Sequence, residues 1–173
     1  MKKNLAVVVG LSLLFVATVG TLHSQVKWIV GGNMGLGITT GSGYSSTDFT
    51  FGPMAEVLFN KNIGVGTEFD ITTATGTPIT WANYFKYYFT IPGSNIKPYA
   101  HAGLGLVFAT GGPFFFIPFG GGASFGVAKN LYVSADLTLG PEFYSVGGGF
   151  YGYSQSTTLF IITIRPGIRY EIP

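Results

Sequence analysis

The stretch LYVSADLTL, residues 131–139, alternates between two kinds of side chain. Leu131, Val133 and Leu137 fall on one face of an extended chain, and Ser134 and Asp136 fall on the other. A period of two residues is typical of a β-strand, because successive side chains point to opposite sides of the backbone. The stretch therefore predicts a strand with one apolar and one polar face.

The same alternation occurs in seven further runs of roughly ten residues, which start near residues 27, 49, 63, 80, 99, 119 and 160. A tilted strand of about ten residues crosses a bilayer. The connections differ in length: 39–48, 109–118 and 141–156 are long, 60–62 and 129–130 are short, and 73–78 and 90–95 are intermediate. This pattern predicts an all-β fold, an eight-stranded antiparallel up-and-down transmembrane β-barrel with short periplasmic turns and long extracellular loops.

The composition excludes several classes of protein. Only 9% of the 173 residues are charged, whereas about 25% is usual in soluble domains. A hydrophobic content of 47% is too high for a disordered chain. There is no cysteine, which excludes disulfides and cysteine-ligated zinc. The net charge of +2 comes from Lys2 and Lys3, so no basic surface for nucleic acid is expected.

The N-terminus has the features of an export signal. Lys2 and Lys3 precede an apolar run from Leu5 to Val19, and Ser24 offers a small residue for cleavage. We predict a signal peptide over residues 1–24 and a mature barrel domain over 25–173. The alternative is a membrane anchor, for which the run is short.

Alternation alone does not separate a membrane barrel from a soluble lipocalin-like barrel, which would place its charges outside. The charged face consists mostly of Gly, Ser, Thr and Ala, which suits the narrow lumen of eight strands. Bulky aromatics near the strand ends resemble the girdles of membrane barrels: Trp28, Phe49, Phe59, Trp81, Phe89 and Tyr170. Both features favour the membrane barrel.

Several motifs resemble those of the bacterial outer-membrane β-barrel domain family, which includes small barrels similar to OmpX and the membrane part of OmpA. They are YFKYYF at 84–89, KPYAHAGLG at 97–105, GGGA at 120–123 and KNL at 129–131. The resemblance covers residues 25–173 and implies a location in the cell outer membrane, in contact with its lipid. The residues Arg165, Gly167, Tyr170 and Ile172 are similar to the C-terminal signal read by the barrel-assembly machinery, which implies this machinery as a partner during biogenesis.

The inward face is expected to carry a network of ion pairs, because an isolated buried charge costs several kcal/mol. We expect Glu68 to pair with Lys86 and Asp136 with Arg165, since each pair lies on adjacent strands. The alternative is a polar conduit or proton path, although eight strands leave no porin-sized channel. The proposed lumen network consists of Glu56, Glu68, Lys86, His101, Asp136 and Arg165, with Lys27, Asp70 and Arg169 on the same face.

No enzymatic chemistry is predicted. His101 is the single histidine of the mature chain, and it points into the lumen, away from any acyl chain. One histidine with scattered carboxylates is a poor metal site. The glycine runs lack the Gly-Lys-Ser/Thr motif of a phosphate-binding loop. We therefore expect no catalytic residue, no cofactor and no metal.

The long connections are unusually aromatic. Two of them hold Phe114, Phe115, Phe116, Phe143, Tyr144, Phe150, Tyr151 and Tyr153. Rigid rings give contact area at a small entropic cost, so these loops are candidate contact surfaces for an unidentified extracellular ligand or partner. They could instead lie in lipid headgroups or pack over the barrel mouth. The leading function is a non-enzymatic envelope role; the alternatives are OmpW-like passage of small apolar molecules and a lipid-modifying enzyme.

Overall fold

The computed structural model describes residues 26–41, 43–146 and 155–173. The predicted signal peptide and the loop residues Phe150, Tyr151 and Tyr153 lie outside these ranges. The described residues form nine strands: β1 (Lys27–Gly41), β2 (Tyr44–Leu58), β3 (Ile63–Thr72), β4 (Ile79–Tyr88), β5 (Ile96–Ala109), β6 (Gly112–Phe116), β7 (Phe119–Ala128), β8 (Leu131–Val146) and β9 (Gln155–Ile172). Within those ranges no helix is long and apolar enough to cross a membrane.

The strands close into an antiparallel barrel. Neighbours in sequence pair from β1 to β5, β8 pairs with β9, and β9 pairs with β1. Both β6 and β7 pair with β5 on one side and β8 on the other. They are two halves of one barrel strand, interrupted at Ile117 and Pro118. The predicted eight-stranded up-and-down barrel is therefore confirmed.

The predicted facing of the strands is confirmed as well. On β8, Asp136 points inward and is 6% exposed, whereas Leu137 points outward and is 43% exposed. The outer surface carries aliphatic and aromatic residues on every barrel strand, including Met34, Phe85 and Ile164. Trp81 stacks on Phe69 with ring centroids 5.8 Å apart. An apolar exterior with aromatic residues is the lipid-facing surface of a transmembrane barrel.

The predicted loop 39–48 is wrong, because β1 and β2 continue to Gly41 and Tyr44. Near the turn, both faces of the β1–β2 hairpin carry hydroxyl residues, such as Thr39, Thr40 and Ser45. Hydrophobic alternation therefore disappears although the strands do not end. Gly43 adopts a φ of 77°, a conformation that glycine adopts readily, in the turn.

The predicted loops 109–118 and 141–156 are also too long. β5 turns at Thr110 and Gly111 and returns as β6, with Gly111 at a φ of 105°. β8 extends to Val146 and β9 begins at Gln155, where the two strands still pair. Phe114, Phe115, Phe116, Phe143 and Tyr144 are thus strand residues, and placing them in loops was an error.

Candidate functional site in the barrel lumen

The lumen has two parts with different contents. We call the half next to Lys27 and Ile172 the terminal half, and the half next to the 41–44, 73–78 and 109–112 connections the distal half. The terminal half is filled by aromatic and charged side chains. The distal half encloses a cavity of about 390 Å³.

Arg165 on β9 occupies the middle of the lumen, where it separates the two halves. Its Nη1 donates to Glu68 Oε1 at 2.5 Å and also to Asp70, both on β3. Its Nη2 lies 3.3 Å from Asp136 Oδ1 on the neighbouring strand β8. The guanidinium therefore bridges opposite walls of the barrel and is surrounded by three carboxylates.

The predicted pairing of Asp136 with Arg165 is confirmed by this contact. Asp136 has three further partners. Thr138 Oγ1 donates to Oδ1 at 2.7 Å, Tyr99 Oη donates to Oδ2 at 2.9 Å, and His101 Nε2 lies 3.2 Å from Oδ2. Such density of hydrogen bonds compensates for removing the carboxylate from water.

A second group of charges fills the terminal half. Arg169 lies 4.7 Å from the ring centroid of Tyr99 and donates to Tyr99 Oη at 2.7 Å and Tyr88 Oη at 3.2 Å. Tyr88 Oη donates in turn to Glu56 Oε1 at 2.7 Å, and Glu56 Oε2 lies 3.2 Å from Lys86 Nζ. Ring stacking and ion pairing together close this half of the barrel.

The predicted pairing of Glu68 with Lys86 is wrong, since Lys86 binds Glu56 instead. Glu56 lies on β2 and Lys86 on β4, and the intervening strand β3 carries Gly64 and Gly66 opposite them. A Cβ at Gly64 would lie 2.7 Å from Glu56 Oε1. Because these glycines have no side chain, the Glu56 carboxylate reaches across β3, while Glu68 is left to Arg165.

Other glycines also make room for the large lumen residues. A Cβ at Gly35 on β1 would lie 2.8 Å from Arg165 Cα and 3.0 Å from its Cγ. A Cβ at Gly122 on β7 would lie 2.6 Å from Tyr99 Oη. These glycines also allow close approach of the neighbouring strand, because a Cβ at Gly35 would lie 2.0 Å from Ile164 O and a Cβ at Gly122 would lie 2.2 Å from Ala135 O.

The cavity in the distal half, which we call the cup, has Arg165 and Asp70 at its floor and Tyr44, Thr75 and Thr110 near its rim. Its walls differ in chemistry. Strands β1 to β4 contribute hydroxyl residues: Thr39, Ser46, Thr50, Thr72 and Thr80. Strands β5, β6 and β9 contribute an apolar wall: Val107, Ala109, Phe114, Phe116, Leu159 and Ile161. The cup is therefore amphipathic and has the size of a small-molecule site.

Two of the predicted loop aromatics form this apolar wall. Phe114 and Phe116 are buried and face the cup, whereas Phe115 between them points outward. Phe115 stacks on outward-facing Phe143, with ring centroids 6.3 Å apart. The sequence contains the signal for this arrangement, because Gly111 and Gly112 mark a turn and Phe114, Phe115 and Phe116 continue a strand behind it.

Glu142 on β8 was missed by the sequence analysis. It is 6% exposed, lines the cup and lies opposite Phe116 of β6 and Leu159 of β9 in register. Asp70 and Arg169, which the sequence places on the inward face, also belong to the lumen site, and so do Tyr88 and Tyr99, which the sequence does not single out. Alternation along each strand predicts that these side chains point inward. It does not predict which side chains they contact across the barrel.

The C-terminal residues of the expected assembly signal lie on β9. Tyr170 and Ile172 point outward and are exposed, and Gly167 packs close to Asn33 and to Ser134 Oγ. Their role in assembly remains a prediction. Lys27 lies at the barrel end, with its side chain 58% exposed, and binds Glu171 at 2.6 Å. In the described ranges no group of three or more His, Cys, Asp or Glu residues is placed to hold a metal.

Three solved structures with a similar architecture are small outer-membrane barrels. Neisserial surface protein A is 14% identical, with a TM-score of 0.60 over 86% of this chain and all of that one. OprG from Pseudomonas aeruginosa is 10% identical, with a TM-score of 0.57 over 87% of this chain and 97% of that one. Ail of Yersinia pestis is 14% identical, with a TM-score of 0.52 over 85% of this chain and all of that one. No protein-family model and no curated protein matches the sequence. The similarity is one of fold.

Proposed function

We propose that this chain is an integral outer-membrane barrel with a non-enzymatic role, and that its distal end is an extracellular contact surface for a ligand or partner. The short connections 60–62 and 129–130 lie at the terminal end, as periplasmic turns do in such barrels. The apolar exterior and the fold shared with outer-membrane proteins support the location.

The observation that carries the proposal is the position of the closure. The Arg165 and Arg169 networks occlude the lumen in its middle and terminal half, while the distal half is hollow. Opening a path would separate Arg165 from several buried carboxylates, at a cost of several kcal/mol. A barrel that is closed in its terminal half and hollow in its distal half is suited to binding at one surface rather than to conduction.

The contact surface in this proposal includes the cup and the aromatic residues around the distal end. Phe115 and Phe143 form a stacked pair on the outside of the wall. Tyr144 lies on β8, and Phe150, Tyr151 and Tyr153 follow in the last connection. Contact with lipid headgroups is the competing role for these rings.

Passage of small apolar molecules is the second candidate, and one seam favours it. β6 joins β8 through only two register pairs, Phe115 with Phe143 and Phe116 with Glu142. Pro118 and Pro141 bring no N–H to this seam. A gap here would connect the apolar wall of the cup to the bilayer.

Proteoliposome release separates these candidates. The mature barrel is refolded into vesicles loaded with a small polar dye or with a small apolar indole. The proposal expects release of both at the rate of protein-free vesicles. Dye release would show a continuous lumen and contradict the closed barrel, whereas faster release of indole alone would favour the side passage.

A matched variant sharpens the result. Replacing Arg169 and Tyr99 together with Ala removes the stacked pair that fills the terminal half. Dye release by this variant but not by the natural barrel would show that the terminal half is the barrier. Fractionation with the outer membrane and heat-modifiable gel migration test the location, and recovery as a soluble periplasmic protein would refute it.

A further inference from the structure

The carboxylate of Glu142 has no partner that the structure describes. Among residues 26–41, 43–146 and 155–173, no hydrogen bond or ion pair joins the Glu142 carboxylate to another residue, although the side chain is buried against the cup. The other buried carboxylates of the lumen, such as Glu56 and Asp136, each have several partners. A buried carboxylate without a partner is costly to keep ionised, and a bound cation relieves that cost.

The surroundings of Glu142 are apolar on both sides. Its register partners are Phe116 on β6 and Leu159 on β9, and Phe114 and Val107 continue the same wall. A hydrated metal ion would gain little from aromatic and aliphatic neighbours. An organic cation would bury its apolar part against them, because apolar burial is favourable in proportion to its area.

The cup carries an excess of negative charge, which also favours a cation. Among the residues that the structure describes, three carboxylates line the cup, those of Asp48, Asp70 and Glu142, against one cation, Arg165. The Arg165 guanidinium is already engaged by Glu68, Asp70 and Asp136. Oδ1 of Asp70 has no hydrogen-bond partner in the described part of the chain. The cup therefore attracts cations and disfavours anions.

From these observations we propose that the cup binds a small organic cation, a primary ammonium group attached to an apolar body. The ammonium binds the Glu142 carboxylate, and the apolar body packs against Phe114, Phe116 and Val107. The hydroxyls of the facing wall remain available for polar substituents of the ligand. This proposal rests on the proposed function, since it names the ligand class of the distal contact surface.

Isothermal titration of the refolded mature barrel in detergent micelles tests the ligand class. The probe is 2-phenylethylamine, which carries an ammonium on an aromatic body. Its matched controls are 2-phenylethanol, which has the same shape without the charge, phenylacetate, which has the opposite charge, and ethylamine, which lacks the ring. We expect saturable binding of the amine, binding of the alcohol and of ethylamine at least about tenfold weaker, and no binding of the anion.

Two variants assign the contact. Glu142→Gln keeps the size of the side chain but removes its charge, so phenylethylamine should bind it no better than phenylethanol. Glu171→Gln removes a carboxylate at the terminal rim, outside the cup, and should keep the preference for the amine. Heat-modifiable migration confirms that each variant is folded. If Glu142→Gln does not fold, the comparison of the four probes on the natural barrel decides alone.

Three results would overturn the inference: no saturable binding of phenylethylamine at millimolar concentration, equal affinity for amine and alcohol, or an unchanged preference in Glu142→Gln. These outcomes differ from a failure of the proposed function, which would appear as dye release from vesicles. A barrel that retains dye but ignores the amine would keep the distal contact surface and lose only the ligand class.

Discussion

The two halves of the lumen are built from the same eight barrel strands, but one is filled by side chains and the other is hollow. In the terminal half, long side chains from opposite walls meet, and Arg169, Tyr99, Tyr88 and Glu56 form one connected group. In the distal half the inward residues are mainly threonine and serine on one side and apolar on the other, and they do not meet. The length of the inward side chains therefore decides where the barrel is filled and where it is hollow.

The difference also concerns the partners of charged groups. Every carboxylate near Arg165 is held by a cation or by hydrogen bonds, so the middle of the lumen is stabilised as a unit. The carboxylate of Glu142, six residues after Asp136 on β8, has neither a cation nor a hydrogen bond in the described ranges. The contacts in the middle and terminal half of the lumen stabilise the barrel, whereas the distal half has the space and the unpaired carboxylate that a bound ligand needs.

Arg165→Leu should produce the largest loss of stability, because it leaves Glu68, Asp70 and Asp136 without their common cation. We expect a loss of about 3–5 kcal/mol in the free energy of unfolding, as for other buried ion pairs that lose one partner. Urea refolding into micelles measures it. A loss below that of an ordinary surface substitution would show that the network is hydrated and not structural.

Leu137→Arg should produce the next largest loss of stability, because it places a charge on the lipid-facing side of β8, next to inward-facing Asp136. We expect a loss of about 2–4 kcal/mol if the residue lies near the bilayer midplane. Refolding into lipid vesicles measures it. A neutral Leu137→Arg would mean that this surface does not face lipid and that the barrel is not embedded as described.

Two glycines of β1 form a matched pair across the boundary between the halves. A Cβ at Gly35 would lie 2.0 Å from Ile164 O and 2.8 Å from Arg165 Cα, both backbone atoms of β9, whereas a Cβ at Gly37, two residues further, meets only Asp48 O at 3.9 Å. Gly35→Ala should cost about 1–3 kcal/mol through overpacking, and Gly37→Ala should be close to neutral. Equal effects of the two substitutions in urea titrations would contradict the close approach of β1 to the β9 backbone at Gly35.

Two threonines, register partners on β8 and β9, give the smallest contrast. Thr138 donates to Asp136 and accepts from Arg165, while Thr163 lines the cup. Thr138→Val should cost about 1 kcal/mol, the usual net value of a hydrogen bond. Thr163→Val should stay within about 0.5 kcal/mol of the natural barrel. A larger loss for Thr163→Val than for Thr138→Val would contradict the hydrogen bonds described between Thr138, Asp136 and Arg165.

The fold was predictable because burial in a barrel repeats with a period that the sequence displays. Leu137 and Asp136 illustrate this, since their opposite faces follow from parity alone. Strand ends were less predictable, because Thr39, Thr40 and Ser45 extend a hairpin without any hydrophobic contrast. The sequence predicts a loop at Phe114 and Phe116 because an uninterrupted run of aromatics shows no alternation of polarity, although the burial of residues 114–116 does alternate.

The site was predictable only in part. Asp136 and Arg165 are register partners on adjacent strands, so their contact followed from strand order. The partner of Glu68 did not, because Arg165 reaches it across the lumen from β9 to β3. Contacts across a barrel depend on the size of every side chain between them, as Gly64 and Gly66 show for Glu56 and Lys86. The cup was not predictable from the sequence either, because residues of eight strands, all except β7, line it.

The lumen is hollow on the distal side of Arg165 and filled on the terminal side. The chain contains no cysteine, so single cysteines introduced at inward positions report access without background. Ser46 lines the cup, and Ser134 points inward in the terminal half, where it is buried. The direct measurement is the rate at which a small water-soluble thiol reagent modifies Ser46→Cys and Ser134→Cys in the folded barrel. We expect rapid modification of the cysteine at position 46 and modification at position 134 only after unfolding, and equal rates at both positions would contradict a lumen that is filled only on the terminal side of Arg165.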